Sequence, residues 1–341
     1  MTIYILLAFA LALLSLPRNH KWPFYISVIL LVTIGGLRAE TVGTDTSNYN
    51  KLFEWYGDSL SGGFHASEPG YALLQMLVVR AGLPYSTLVF VIQTLTMIVL
   101  ALYVDKTVYK PQYALLCYLL LYFYFNSFNV ARQYLAIPFL LFAFYHLERR
   151  NLKMFLLFVA AGTMFHYTAP IGLLALLFIK RRWSRGLQVT ILIFSFLLGS
   201  TTIVQDMASN LLSFLPPAMY DYILSVEDYR DLGFSLSRLL LTLFCVCMVV
   251  LMENRSNRLC LLTLGICILN LFAFHPVVAR VAQYFTIIQI VIIPDIAYML
   301  RPQYRASKAA VEIGAFVYMA VVYIYLLASN VGGIVPYSIG L

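Results

Sequence analysis

The chain alternates long apolar runs with short polar breaks. Runs such as "LPYSTLVFVIQTLTMIVLALYV" at 83–104 are continuous over about twenty residues, the length a helix needs to cross a bilayer. A membrane β-strand would instead alternate over about ten residues. In lipid a helix satisfies its own backbone groups. The pattern therefore predicts an all-α, polytopic helical membrane protein, a single integral membrane domain over 1–341. Twelve transmembrane spans are expected, at about 2–16, 22–37, 83–104, 111–126, 131–147, 152–166, 167–180, 187–204, 234–252, 259–275, 280–300 and 308–328. Pro170, within the polar "HYTAP", divides 152–180 into two spans. No basic segment precedes the first apolar run and no A-x-A site follows it, so that run reads as a first span rather than a cleaved signal.

Composition agrees. Hydrophobic residues make up 62% and charged residues 11%, with a mean hydropathy of +0.83, against about 25% charged in soluble domains. So little polar surface could not cover a water-soluble globule of this size. Cys117, Cys245, Cys247, Cys260 and Cys267 all lie in apolar runs without metal-like spacing, so they are expected as small buried hydrophobes.

The net charge of +8 resolves into a topology. If odd-numbered spans run inward, the inner loops hold most of the basic residues, among them Arg18, Lys21, Lys106, Lys110, Lys180, Arg181, Arg182, Arg255 and Lys308. The outer side keeps Arg38, Lys51, Arg80, Arg132, Arg230, Arg238 and Arg280, and both termini face outward. Inner bases then hold topology and meet anionic lipid, so no nucleic-acid partner is expected. The acids Glu40, Asp45, Glu54, Asp58, Glu68, Asp206, Asp221, Glu227, Asp228 and Asp231 lie outside, in the two longer outer-face loops at about 38–82 and 205–233. Any chemistry is expected there.

Arg38, Arg132, Arg238 and Arg280 occupy span ends where topology disfavours positive charge. A cation kept against that bias suggests an anionic partner such as phosphate, and helix N-termini at the same depth favour anions. The alternative for each is snorkelling or pairing with a nearby acid. In "FNSFNVARQYLAIP" at 125–138, Asn126, Asn129, Arg132 and Gln133 open a span at helical spacing. Their amides could hold sugar hydroxyls, and Asn129 could equally cap a helix starting at Val130. His166 in "TMFHYTAP" could be a general base or donor, or make an interhelical hydrogen bond. His275 is similar, with Arg280 and Tyr284 on one helical face. In "RAETVGTDTSNYNKLF" at 38–53, Asp45 could cap a helix over 46–56 or act as a base. Glu68 in "SEPGY" is a second carboxylate candidate. Among 25 tyrosines, Tyr49 and Tyr284 are candidates for stacking on sugars. No Walker, Rossmann, H-E-x-x-H or G-x-S-x-G motif occurs, and no intramembrane carboxylate relay marks an ion-coupled pump.

Taken in order, "GLRAETVGTDTSNY", "EPGYALL" at 68–74, "NVARQYLA" at 129–136, "FHYTAP" at 165–170 and "VARVAQYF" at 278–285 resemble the EpsG/Wzy-like family of membrane polysaccharide polymerases (O-antigen, capsule or exopolysaccharide). The resemblance runs from about 35 to 290, and 300–341 adds no motif to it. It implies a glycosyltransferase of the bacterial inner membrane with its site facing the periplasm or exterior. Such a protein transfers a growing glycan from undecaprenyl pyrophosphate to a hydroxyl of a second undecaprenyl-pyrophosphate-linked repeat unit, and releases undecaprenyl pyrophosphate. It implies no cofactor, and a chain-length regulator as an optional partner. On this reading Arg132 and Arg280, assisted by Arg38 and Arg238, hold pyrophosphate, and Gln133, Asn129, Tyr49 and Tyr284 hold glycan. Asp45 or His166 is the base, with Asp45 preferred and Glu68 a further candidate. The alternatives are a flippase for lipid-linked oligosaccharide and an O-antigen ligase.

Overall fold

The computed structural model describes residues 1–17, 21–58, 68–178, 183–212, 235–253 and 257–340. Arg18, the basic loop 180–182, Arg255, and Asp221, Glu227, Asp228, Arg230 and Asp231 of the second outer loop lie outside the described residues.

Proline and apolar runs set the helix boundaries. The first nine helices are α1 (Thr2–Leu14), α2 (Trp22–Gly36), α3 (Thr46–Asp58), α4 (Pro69–Arg80), α5 (Tyr85–Thr107), α6 (Pro111–Leu120), α7 (Phe123–Asn129), α8 (Ala131–Glu148) and α9 (Leu152–Thr163). Helices α2, α4 and α6 each carry proline at their first or second position, where its missing N–H costs nothing and its fixed φ suits helix entry. After α9 the chain turns into a 3₁₀ helix over Ala169–Phe178. Further helices cover Arg185–Leu198, Ile203–Leu212, Leu236–Leu251, Arg258–Leu271, Pro276–Val281, Gln283–Thr286, Gln289–Met299 and Lys308–Ala328. Among the described residues there is no strand, only two isolated bridges.

Among the described residues, three helices, Tyr85–Thr107, Ala279–Met299 and Pro302–Ala328, are long and apolar enough to cross a membrane, and six shorter ones are also apolar. Large hydrophobic side chains stand exposed along α1 (Ile5, Leu6, Phe9, Leu13) and along Lys308–Ala328 (Ile313, Val317, Val321, Ile324). An apolar surface this extensive needs lipid as its solvent.

Two compact units share the chain. The first comprises Met1–Leu173, Gln289–Tyr298 and Arg305–Leu341, and the second Leu174–Ile288 and Met299–Tyr304. Helix α8 is the spine of the first, buried from Ala131 to Leu147 on nearly every side. Gly162 of α9 and Gly172 permit close packing on it: a Cβ at either would sit 2.6 or 2.8 Å from Leu140. Phe53, Tyr71, Val78, Tyr85, Leu88 and Leu135 form an apolar cluster joining α3, α4, α5 and α8.

The expected span at 111–126 is instead two helices. The chain breaks at Leu121–Tyr122, and Tyr122 takes φ +68°. This left-handed conformation is costly for a bulky residue. It is held because the buried Tyr122 hydroxyl donates to the carbonyls of Leu326 (3.3 Å) and Val331 (3.0 Å). The expected break before Pro170 occurs, after Thr163. Over the expected span at 280–300 the helical run Ala279–Met299 is divided into segments, with Arg280 in Pro276–Val281 and Tyr284 in Gln283–Thr286.

In the second unit, Arg238 Nη1 donates to the carbonyl oxygens of Gly199 and Asn270, both at 3.2 Å. These close the helices Arg185–Leu198 and Arg258–Leu271. Gly199 allows the approach, since a Cβ there would lie 2.0 Å from the Asn270 carbonyl oxygen. Gly199→Ala is expected to cost about 1–3 kcal/mol and to lower the thermal midpoint in detergent. An unchanged midpoint would contradict this packing.

Candidate functional site

Three segments distant in sequence meet at the Glu68 carboxylate. Glu68 is the residue before Pro69, which opens α4, and is only 3% exposed. Its Oε2 accepts from Arg132 Nη1 at 2.6 Å. Its Oε1 lies 2.5 Å from His166 Nδ1 and accepts from the Tyr167 N–H at 3.2 Å. Arg132 is the second residue of α8, and His166 lies in the turn after α9. The turn is pinned to α4 by the Gly70 N–H, which donates to the Met164 carbonyl at 2.7 Å. Gly70 must be glycine at this contact, because a Cβ would come within 2.9 Å of the same oxygen.

The electrostatics follow from these partners. Burial alone would raise the Glu68 pKa. The hydrogen bond from His166, the Arg132 charge and the Tyr167 N–H outweigh it and hold the carboxyl below the usual range. The pair leaves part of the cation open, as the Arg132 side chain is 32% exposed. Its guanidinium carbon lies 5.4 Å from the Tyr49 ring centroid and 5.6 Å from that of Tyr71. Burial raises the pKa of both phenols, so they stay neutral walls. His166 Nε2 has no hydrogen-bond partner among the described residues.

The other expected site residues fall elsewhere. Arg38 is 6% exposed. Its Nη1 donates to the Gly35 carbonyl, its Nη2 to that of Phe128 at 3.5 Å, and its guanidinium lies 4.4 Å over the Phe128 ring. It therefore serves the C-terminal ends of α2 and α7, as Arg238 serves two helix ends in the second unit. Its Nε has no hydrogen-bond partner among the described residues, and Arg38 lines a small cavity together with Tyr49, Tyr71, Tyr85 and Gln93.

Asn129 is the last residue of α7, not the cap of the next helix. The capping position is Val130, which makes no side-chain bond. The Asn129 amide instead joins two backbone segments, accepting from the Asp45 N–H (3.4 Å) and donating to the Gly332 carbonyl (2.9 Å). Asp45 directly precedes α3, as expected for a cap position, and its carboxylate accepts from Thr44 at 3.2 Å. Gln133 is buried beside Arg132 in sequence, and Tyr284 is fully buried in the second unit. Arg280 belongs to that second unit, near the end of Pro276–Val281. The first unit thus unites Glu68, Arg132, His166 and Tyr49. Tyr71, not singled out in the sequence, completes the aromatic wall. Its signal was available: it lies three residues after Glu68, within "EPGYALL".

Because the folded Glu68 pKa is depressed, its stabilising contribution is complete above the unfolded value of about 4.3. It is lost as pH falls through the folded pKa. The difference in thermal midpoint between wild type and Glu68→Gln is therefore expected to shrink as pH falls below about 4.3. A difference that persists unchanged into strong acid would contradict the buried ion pair.

Residues 21–339 match the EpsG family, nearly the whole chain and well beyond the motifs that first suggested it. No curated protein and no solved structure matches. With this match and the apolar helices, the chain is a membrane protein and belongs to the EpsG family.

Proposed function

We propose that this protein polymerises a polysaccharide from undecaprenyl-pyrophosphate-linked repeat units at the outer face of a bacterial inner membrane, and that Glu68, Arg132 and His166 form its reaction centre. The observation that carries the reading is the single buried carboxylate shared by a partly exposed arginine and a histidine, in a chain of the EpsG family. The twelve-span topology, with this end of the first unit outward, is part of the proposal.

The geometry supports the following residue roles. His166 Nε2 accepts the proton of the acceptor sugar hydroxyl as the hydroxyl oxygen attacks the anomeric carbon of the donor glycan. The bond from that carbon to the pyrophosphate oxygen breaks, and undecaprenyl pyrophosphate leaves with the electron pair. Glu68 fixes the imidazole orientation and stabilises the imidazolium that forms. The open side of Arg132 meets the charge developing on pyrophosphate. This favours His166 over Asp45 as the base. A carboxyl held as strongly ionised as Glu68 is a weak base itself and suits the supporting role. Tyr49, neutral, partly buried and beside Arg132, offers a face to a sugar ring, and the buried Tyr71 backs it. The proposal rests on Arg132 for the pyrophosphate; Arg38 and Arg238 already serve helix ends.

His166→Ala and Arg132→Ala are each expected to lower polymerisation about 10²–10⁴-fold while the protein stays in the membrane. Cells carrying either variant should display single repeat units without long chains. Normal chain-length ladders from both variants would sink the residue assignment. Loss of the single units as well would point to a flippase, and single-unit-capped lipopolysaccharide would exclude a ligase.

A further inference from the structure

Residues 330–340 hold none of the family-like motifs and form no helix. They are nonetheless bonded along their length to the loop that leads into α3. The Gly340 N–H donates to the Leu37 carbonyl (3.0 Å) and the Ala39 N–H to that of Ser338 (2.9 Å). The Gly43 and Thr44 N–H groups donate to the carbonyls of Gly333 (3.0 Å) and Gly332 (3.2 Å). Thr41 and Ser338 share a hydroxyl bond of 2.9 Å. Tyrosines anchor the segment from below: Tyr4 to the Ile334 carbonyl, Tyr122 to that of Val331, and Tyr337 to that of Ile34, each at 3.0 Å. Asn330 shapes it by bonding both the N–H and the carbonyl of Val335.

Asn129 is where loop, segment and α7 meet. Its carbonyl oxygen takes the Asp45 N–H and its NH₂ serves Gly332. The glycines around it have no room for a side chain. A Cβ at Gly43 (φ +110°) would lie 2.8 Å from Asn129 Oδ1, and one at Gly332 (φ +81°) 2.5 Å from Nδ2. Only a short amide supplies a donor and an acceptor at this reach. The Asp45 carbonyl then accepts from the Tyr49 N–H at 3.1 Å in the first turn of α3. That turn sets Tyr49 beside the Arg132 guanidinium.

We propose that residues 330–340 are a strap and Asn129 a positioning residue, which together hold the first turn of α3 so that Tyr49 forms a substrate-binding wall beside Arg132. The role in substrate binding rests on the polymerase reading above; the strap itself does not. Disturbing the strap loosens the wall but leaves the Glu68–His166 pair in place, since α4, α8 and the turn after α9 hold that pair.

The test uses the full chain in nanodiscs, with Asn129→Ala, Asn129→Asp and a deletion of 330–341, read first by hydrogen exchange. Asn129→Ala is expected to speed exchange of the Asp45 amide about tenfold. The deletion should do the same at Gly43 and Thr44, with α5 and α8 as protected as in wild type. Asn129→Asp keeps the acceptor and should leave the Asp45 amide slow. Unchanged exchange at 43–45 in both Asn129→Ala and the deletion would overturn the strap. In a polymerisation assay, Asn129→Ala should raise the KM for the lipid-linked unit about tenfold with kcat within about twofold. A fall in kcat at constant KM would overturn the binding-wall role. If wild type polymerises nothing while the exchange pattern holds, the function fails and the strap stands.

Discussion

The first unit is organised around one electrostatic constraint: an ionised carboxylate held out of water. A buried charge is tolerated only with partners that replace its hydration. Glu68 finds them in a guanidinium, an imidazole and a backbone N–H, from the start of α8 and the turn after α9. None of these elements is adjacent to α4 in sequence. Their close packing, including the glycines that admit it at 70 and 162, is what keeps the three partners within reach. The same arrangement leaves one imidazole nitrogen without a partner among the described residues and keeps the Arg132 side chain 32% exposed beside Tyr49.

Arginine does two different jobs in this protein. Arg38 and Arg238 donate to carbonyls at helix C-terminal ends, where the last backbone acceptors lack intrahelical partners and the dipole is negative. Arg132 lies at the opposite kind of end, a helix N-terminus, and is tied down by a carboxylate. By charge and by their place at the end of an apolar run the three are alike in the sequence. They differ in the local chain direction of the helices around them, and that separates a structural cation from one able to meet an anionic ligand.

Much of the helix plan was legible in the chain. Apolar run length placed most helices within a few residues of their observed ends, because a helix in lipid must be both apolar and long. The break before Pro170 was also legible from the polar "HYTAP"; α9 ends at Thr163, and Pro170 itself enters the 3₁₀ helix that follows. The break at Tyr122 was not: "YLLLYFYF" reads as uninterrupted helix, and the left-handed tyrosine depends on carbonyls two hundred residues away. The motifs "EPGYALL", "NVARQYLA" and "FHYTAP" marked Glu68, Arg132 and His166 individually. Nothing in their spacing said that one carboxylate would bind both of the others. The segment 330–340 looked empty because its bonds are made mostly by backbone groups, which every sequence has.

The sequence by itself determined the solvent, the helical class, the family and the residues able to carry chemistry. These depend on composition, on local periodicity and on the order of short motifs, all properties of neighbours along the chain. Tertiary structure alone decided that Arg38 and Arg238 clamp helix ends while Arg132 pairs with Glu68, that His166 is oriented by Glu68, and that Asn129 ties the loop before α3 to residues 330–340. The bonds from Glu68 to Arg132 and His166 and from Asn129 to Gly332 join residues 64, 98 and 203 positions apart, and the arginine clamps depend on which side of a helix end the chain approaches. Such contacts form only once the helices have packed.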